Sequence, residues 1–308
     1  MLTATLMMLK SELEEFEEVL KSSLTSSIEG FDIVLDYFFS SQGKKIRPIL
    51  GILFSKIMGR YNEQQRYFLL AIELIHNATL FHDDVIDGAD YRRNQESLNR
   101  HFSSKIAILA GDYFLATALK NISQINSLKV NNIIASSIKE ICEGEIEQDL
   151  SLKKLLPMEQ YLLKTQRKTA ILFALTLQGC AMLADNFDED NIEAARKLGE
   201  NFGMIFQIRD DLKNFEASVD KPIFNDLRSG NYTAPIIFLA QKFPEVKELL
   251  NIENYDAVMD LLHQSDAIEK TKKMLENYYL RATQILSKFP DNEYSRQMRE
   301  LLSYFRNN

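Results

Sequence analysis

Residues 192–214, IEAARKLGENFGMIFQIRDDLKN, decide how this chain is read. Ile192, Ala195, Leu198, Phe202, Ile205 and Phe206 follow one another largely at spacings of three and four, the signature of a helix with one apolar face. The run ends in acids and an amide, Asp210-Asp211-Leu212-Lys213-Asn214. Gln207, Asp210 and Asn214 share a face at helical spacing. Carboxylates on an apolar helix are costly to bury bare, so a cation is expected against them.

A second run has the same character: His76-Asn77-Ala78-Thr79-Leu80-Phe81-His82-Asp83-Asp84-Val85-Ile86-Asp87, followed by Arg92-Arg93. Asp83 and Asp87 stand one turn apart on one face, and His76 lies two turns before Asp83. Oxygen-only ligands, without a cysteine or histidine pair, favour magnesium, which keeps waters and bridges to phosphate. A forked guanidinium beside them reads phosphate oxygens. Together these features point to an enzyme that handles diphosphates. A lone acidic patch of this kind is as often a solvated helix end; two in apolar helices share fewer innocent explanations.

Composition narrows the fold. The chain has 308 residues, 45% of them hydrophobic, enough for a sizeable core. Eleven glycines and six prolines leave few tight turns, so the expected class is all-α. Breaks near 40–43, 88–99, 155–157, 184–191, 218–231, 242–244 and 288–292 suggest about a dozen helices without a linker, hence one domain over 1–308. A net charge of −8 argues against a general nucleic-acid binder. Cys142 and Cys180 form neither a zinc pattern nor a disulfide framework, which fits a reducing cytoplasm. The N-terminal stretch has no secretory pattern, and no run approaches the length of a membrane span.

Two weaker segments add cations. Gln42-Gly43-Lys44-Lys45-Ile46-Arg47-Pro48 sets three beside a glycine at an expected helix start, and Arg167-Lys168-Thr169-Ala170 sets a cation and a hydroxyl in an apolar helix. Each alone reads equally well as an exposed basic turn or a snorkelling lysine. His76 reads as a donor to phosphate better than as a zinc ligand.

With GKKIRP at 43–48, HDDVID at 82–87, RR at 92–93, KT at 168–169 and FQIRDD at 206–211, the chain resembles the trans-isoprenyl diphosphate synthases, the polyprenyl synthetase family. The resemblance implies an isoprenoid synthase helical bundle around a deep central cavity, the two acidic motifs facing each other across it, normally in a homodimer, or in a heteromer with a small subunit. It implies a magnesium-dependent condensation of isopentenyl diphosphate with an allylic diphosphate. Asp83, Asp87 and Asp210 are expected to ligate three magnesium ions alongside substrate, with Asp84 and Asp211 the other metal-site acids. Arg92, Lys168, Gln207 and Lys221 are expected at the allylic diphosphate, and Lys44, Arg47, His76 and Arg93 at isopentenyl diphosphate. Lys168, Thr169 and Gln207 are the catalytic set, shielding the allylic cation.

Three departures stand out: Asn214 replaces the usual third aspartate, Asn231 the lysine of many members, and Asn94 the glycine after the paired arginines. Ile75, Ala78 and Thr79, below Asp83, are expected to set chain length. Ala78 and Thr79 are small where short-chain members carry a bulky aromatic, which favours a long product over farnesyl or geranylgeranyl diphosphate. The run Cys142–Gln148 also looks like the matching segment of heptaprenyl synthase catalytic subunits. Short-chain synthase is the alternative within the family. A class I terpene cyclase fits less well, because Thr233 stands where the second metal motif beginning Asn225-Asp226 needs a glutamate. A non-catalytic subunit need not keep both acidic motifs.

Overall fold

The computed structural model describes residues 2–40, 43–92, 95–185, 188–215 and 225–307. Among them helices dominate, and the only sheet is one two-stranded antiparallel hairpin, Tyr91–Arg92 with Gln95–Glu96, in which Arg92 pairs with Gln95. The helical segments outnumber the dozen expected because several breaks cut short pieces, such as Leu98–His101, Asn225–Ser229 and Val246–Asn251. The chain divides into two compact units. One comprises Met1–Asn132, Thr176–Ile192 and Pro290–Met298; the other comprises Ile133–Leu175, Glu193–Phe289 and Arg299–Asn308. No helix among the described residues is long and apolar enough to cross a membrane.

In the first unit the helix Glu63–Ile86 is the spine. Phe68, Leu69, Leu70, Ala71, Ile72, Leu74, Ile75 and Ala78 are at most 1% exposed, so this stretch is apolar nearly all round and buried accordingly. Its start is a capping box: the Asn62 side chain accepts from the Gln65 amide at 2.9 Å, and the Gln65 side chain accepts from the Asn62 amide at 2.9 Å. The same two side chains donate onward to the Leu183 and Cys180 carbonyls, each at 2.8 Å. Loss of such a cap costs about 1 kcal/mol. The helix stops because Gly88 takes a φ of 60°, and the Ala89 amide then returns to the Asp84 carbonyl at 2.9 Å. The first acidic cluster is thereby set on a final helical turn.

In the second unit the portion of the helix Glu189–Lys213 from Glu193 onward packs backbone to backbone on the segment 170–174. A Cβ at Gly199 would stand 2.3 Å from the Phe173 carbonyl oxygen, and one at Gly203 would stand 2.4 Å from the Ala170 Cα. Only glycine admits that approach. The segment Gln166–Ala170 is itself a π-helical turn, a local widening that recurs at functional sites.

Candidate active site

Both acidic clusters close their helices at the carboxyl end, where the helix dipole opposes negative charge. In the first unit the final turn has no basic residue. Asp83 is half-exposed and Asp87 exposed, while Asp84 is 2% exposed. The Asp84 carboxylate accepts from Arg92 Nε at 2.7 and 2.8 Å, and the short hairpin aims Arg92 back at it. His82 fills a notch: a Cβ at Gly111 would lie 2.3 Å from its Nε2, which sits 3.5 Å from Asp112 Oδ1.

The second unit repeats the pattern with different partners. Asp210 is exposed and Asp211 is 1% exposed. Asp211 accepts from the Tyr161 hydroxyl through one oxygen and from Gln207 Nε2 at 2.9 Å through the other. Gln207 Oε1 in turn accepts from the Thr169 hydroxyl at 2.8 Å. One chain of hydrogen bonds therefore runs Tyr161, Asp211, Gln207, Thr169, and it sets which end of the Gln207 amide faces the π turn. Burial raises the Tyr161 hydroxyl well above its ordinary pKa, and the Asp211 charge adds to that, so Tyr161 remains a donor. Lys168 pairs with Glu145 at 2.8 Å, and Arg167 with Glu147 at 3.0 Å.

Two of the five metal-site acids, Asp84 and Asp211, are thus buried and engaged by side chains. Asp83, Asp87 and Asp210 are the ones that reach solvent. Thr79 is half-exposed on the stripe of His76, Asp83 and Asp87, whereas Ala78 and Ile75 are 0% and 1% exposed within the packed side of the helix. Five residues separate Ala78 from Asp83, which turns it well away from that stripe; four separate Thr79, which does not. Lys45 sits at the start of the helix Ile46–Ile57 with φ 49° and pairs with Glu17; Lys44 is exposed and Arg47 half-exposed. Asn231, the position lacking the lysine of many members, accepts at 2.8 Å from the ammonium of Lys164, which is 8% exposed. Arg93, Asn94 and Lys221 lie outside the described residues.

Sequence reasoning passed over Tyr161, Gly199 and Gly203, and met Glu145 only inside the run Cys142–Gln148, without a role. The glycines carried a signal, a four-residue spacing that continues to Gln207 and Asp211 on adjoining turns. Tyr161 had none, and Glu145 none for its pairing with Lys168, since only packing brings them to these partners.

The family model for polyprenyl synthetases matches residues 29–296. Heptaprenyl diphosphate synthase component 2 of Geobacillus stearothermophilus is 32% identical over 308 residues, covering 96% of this chain and 95% of that protein. The crystal structure of heptaprenyl diphosphate synthase from Staphylococcus aureus aligns with a TM-score of 0.92 at 27% identity, over 97% of this chain and 98% of that one. A polyprenyl synthase from Caulobacter crescentus, solved in complex with calcium and isoprenyl diphosphate, aligns at 0.91 and 25% identity, over 100% of this chain and 98% of that one. The architecture is the all-α isoprenoid synthase fold. The chain belongs to the polyprenyl synthetase family and is a chain-elongating trans-prenyltransferase.

Proposed function

We propose that this chain joins isopentenyl diphosphate to an allylic diphosphate and repeats the addition to a long all-trans polyprenyl diphosphate. The observation that carries the reading is the pair of solvent-reaching first acids, Asp83 and Asp210, each at the carboxyl end of a helix and each backed by a buried, engaged second acid.

Asp83, Asp87 and Asp210 are assigned to magnesium, three ions in the substrate-bound enzyme. Among the described residues no three histidine, cysteine or carboxylate groups gather into a protein cage, and magnesium suits such a site, binding one or two carboxylates with its other positions given to water and substrate phosphate. The calcium and isoprenyl diphosphate of the Caulobacter relative support a divalent ion beside a diphosphate. When bound, the metal supplies positive charge that stabilises the departing diphosphate.

The side chains do the rest. Arg92, Lys168 and Lys221 neutralise the allylic diphosphate, with Asp84 aiming Arg92. Lys44, Arg47, His76 and Arg93 hold isopentenyl diphosphate. As the allylic carbon–oxygen bond breaks, the Thr169 and Gln207 oxygens turn lone pairs to the cation, and the double bond of isopentenyl diphosphate attacks it. The released diphosphate takes the proton, so no side chain is assigned as base. Thr79, with Ala78 and Ile75 behind it, is assigned to chain length.

The chain is assigned to a homodimer in the cytoplasm; a heteromer is the second reading, favoured by the component 2 name of the Geobacillus relative. Incubating the purified chain with farnesyl and isopentenyl diphosphates, with and without magnesium, and sizing the products tests the proposal. Magnesium-dependent long polyprenyl diphosphates are expected. A cyclic hydrocarbon, or an inactive chain even with a small partner subunit supplied, would overturn it.

A further inference from the structure

Glu145 lies on the helix Leu128–Leu150, against the π turn Gln166–Ala170 that carries Lys168 and Thr169. Its two carboxylate oxygens stand 2.8 and 3.0 Å from the Lys168 ammonium, and the two side chains are only 18% and 27% exposed. Next to it, Gly144 allows the helix to touch the turn: a Cβ there would stand 3.0 Å from the Arg167 Cβ and 3.5 Å from the Lys168 backbone nitrogen. Arg167 meets Glu147 at 3.0 Å. Two ion pairs therefore fasten the π turn to this helix around one close contact. Neither glutamate belongs to the acidic motifs.

We propose that Glu145 is a positioning residue for the allylic substrate, holding the Lys168 ammonium in place before the diphosphate arrives. A lysine stem has four rotatable carbons and its head three donors, so a sheltered carboxylate that engages one or two donors orders the stem and leaves another for phosphate. This inference rests on the assignment of Lys168 to the allylic diphosphate. If Glu145 merely competed with phosphate for Lys168, removing it would tighten substrate binding; if it positions Lys168, removal weakens binding. The sign of the change decides.

Steady-state kinetics and pyrophosphate inhibition separate the two levels. Lys168→Gln comes first: an unchanged allylic KM in that variant would sink the Lys168 assignment itself, whatever Glu145 does. With that assignment standing, Glu145→Gln is expected to raise the allylic KM and the pyrophosphate inhibition constant roughly tenfold, the scale of losing an orienting partner. The KM for isopentenyl diphosphate should stay put, and Glu145→Gln combined with Lys168→Gln should add nothing to Lys168→Gln alone. Gly144→Ala, which pushes the helix off the turn, should shift the allylic KM in the same direction by less. If Glu145→Gln does not fold by circular dichroism, Glu145→Asp, which keeps the charge, replaces it and should show a smaller rise. An allylic KM that is unchanged or lowered, an equal rise for both substrates, or additive effects in the double variant would overturn the role given to Glu145.

Discussion

In the first acidic motif the buried second carboxylate, Asp84, accepts from the guanidinium of Arg92; in the second motif its counterpart, Asp211, accepts from the Tyr161 hydroxyl and the Gln207 amide. The first acids, Asp83 and Asp210, both reach solvent. One short pattern thus does two jobs at each place. Its outer acid reaches solvent and is the one proposed to meet the metal, and its inner acid fixes a group proposed to stand beside the substrate. Near the hairpin that group is the Arg92 guanidinium, proposed to meet phosphate, and near the π turn it is the Gln207 amide, proposed to face the carbocation. The difference follows from what packs behind each helix: a hairpin returning eight residues on, against a tyrosine fifty residues away in sequence.

The largest test of this division is removal of the outer acids. Asp83→Ala or Asp210→Ala should lower turnover by roughly a hundredfold or more, with helical content unchanged by circular dichroism, because charge stabilisation is lost where the diphosphate departs. Near-normal turnover in a folded variant would remove the metal assignment.

The inner acids should fail in different ways. Asp211→Asn leaves Tyr161 and Gln207 with a weaker, partly mismatched acceptor and should cost about 1–3 kcal/mol in urea unfolding, together with a fall in kcat as Gln207 loses its orientation. Asp84→Asn should chiefly raise the allylic KM, as Arg92 loses its aim, with a smaller loss of stability because Arg92 is partly exposed. Identical phenotypes for the two variants would break the comparison.

Chain length sharpens it within one helix. Thr79→Phe, on the open stripe, should shorten the product of a geranyl-primed reaction while condensation continues. Ala78→Phe adds a ring at a fully buried position and should cost about 1–3 kcal/mol of stability through overpacking. Product chromatography beside thermal melting distinguishes them; a shorter product from a stable Ala78→Phe enzyme would place Ala78 on the wall.

The last test lies away from the acidic motifs and concerns alkaline stability. Burial pushes the Cys180 thiol from 9.0 up to about 12, so the folded state holds that proton more tightly than the unfolded chain does. Its contribution is whole below pH 9 and declines as pH rises toward 12. Cys180→Ala should flatten that part of the pH–stability profile measured by denaturant unfolding, and an unchanged slope would mean the thiol is reached by water.

Much of this was legible in the chain. Helical class followed from scarce glycine and proline with three- and four-residue apolar spacing, and the shared helix faces of Asp83 with Asp87 and of Gln207 with Asp210 followed from one-turn periodicity, because both signals are local and repeat along a single helix. Even the close contact at Gly199 and Gly203 left a trace in its spacing. What spacing alone did not show was that the second member of each acid pair is buried, since neighbouring residues have the same chemistry until a fold buries one of them. Pairing Asp84 with Arg92, Asp211 with Tyr161, and Lys168 with Glu145 needed a hairpin, a helix and a π turn brought within hydrogen-bonding distance. Such distances depend on tertiary packing, which no local periodicity records.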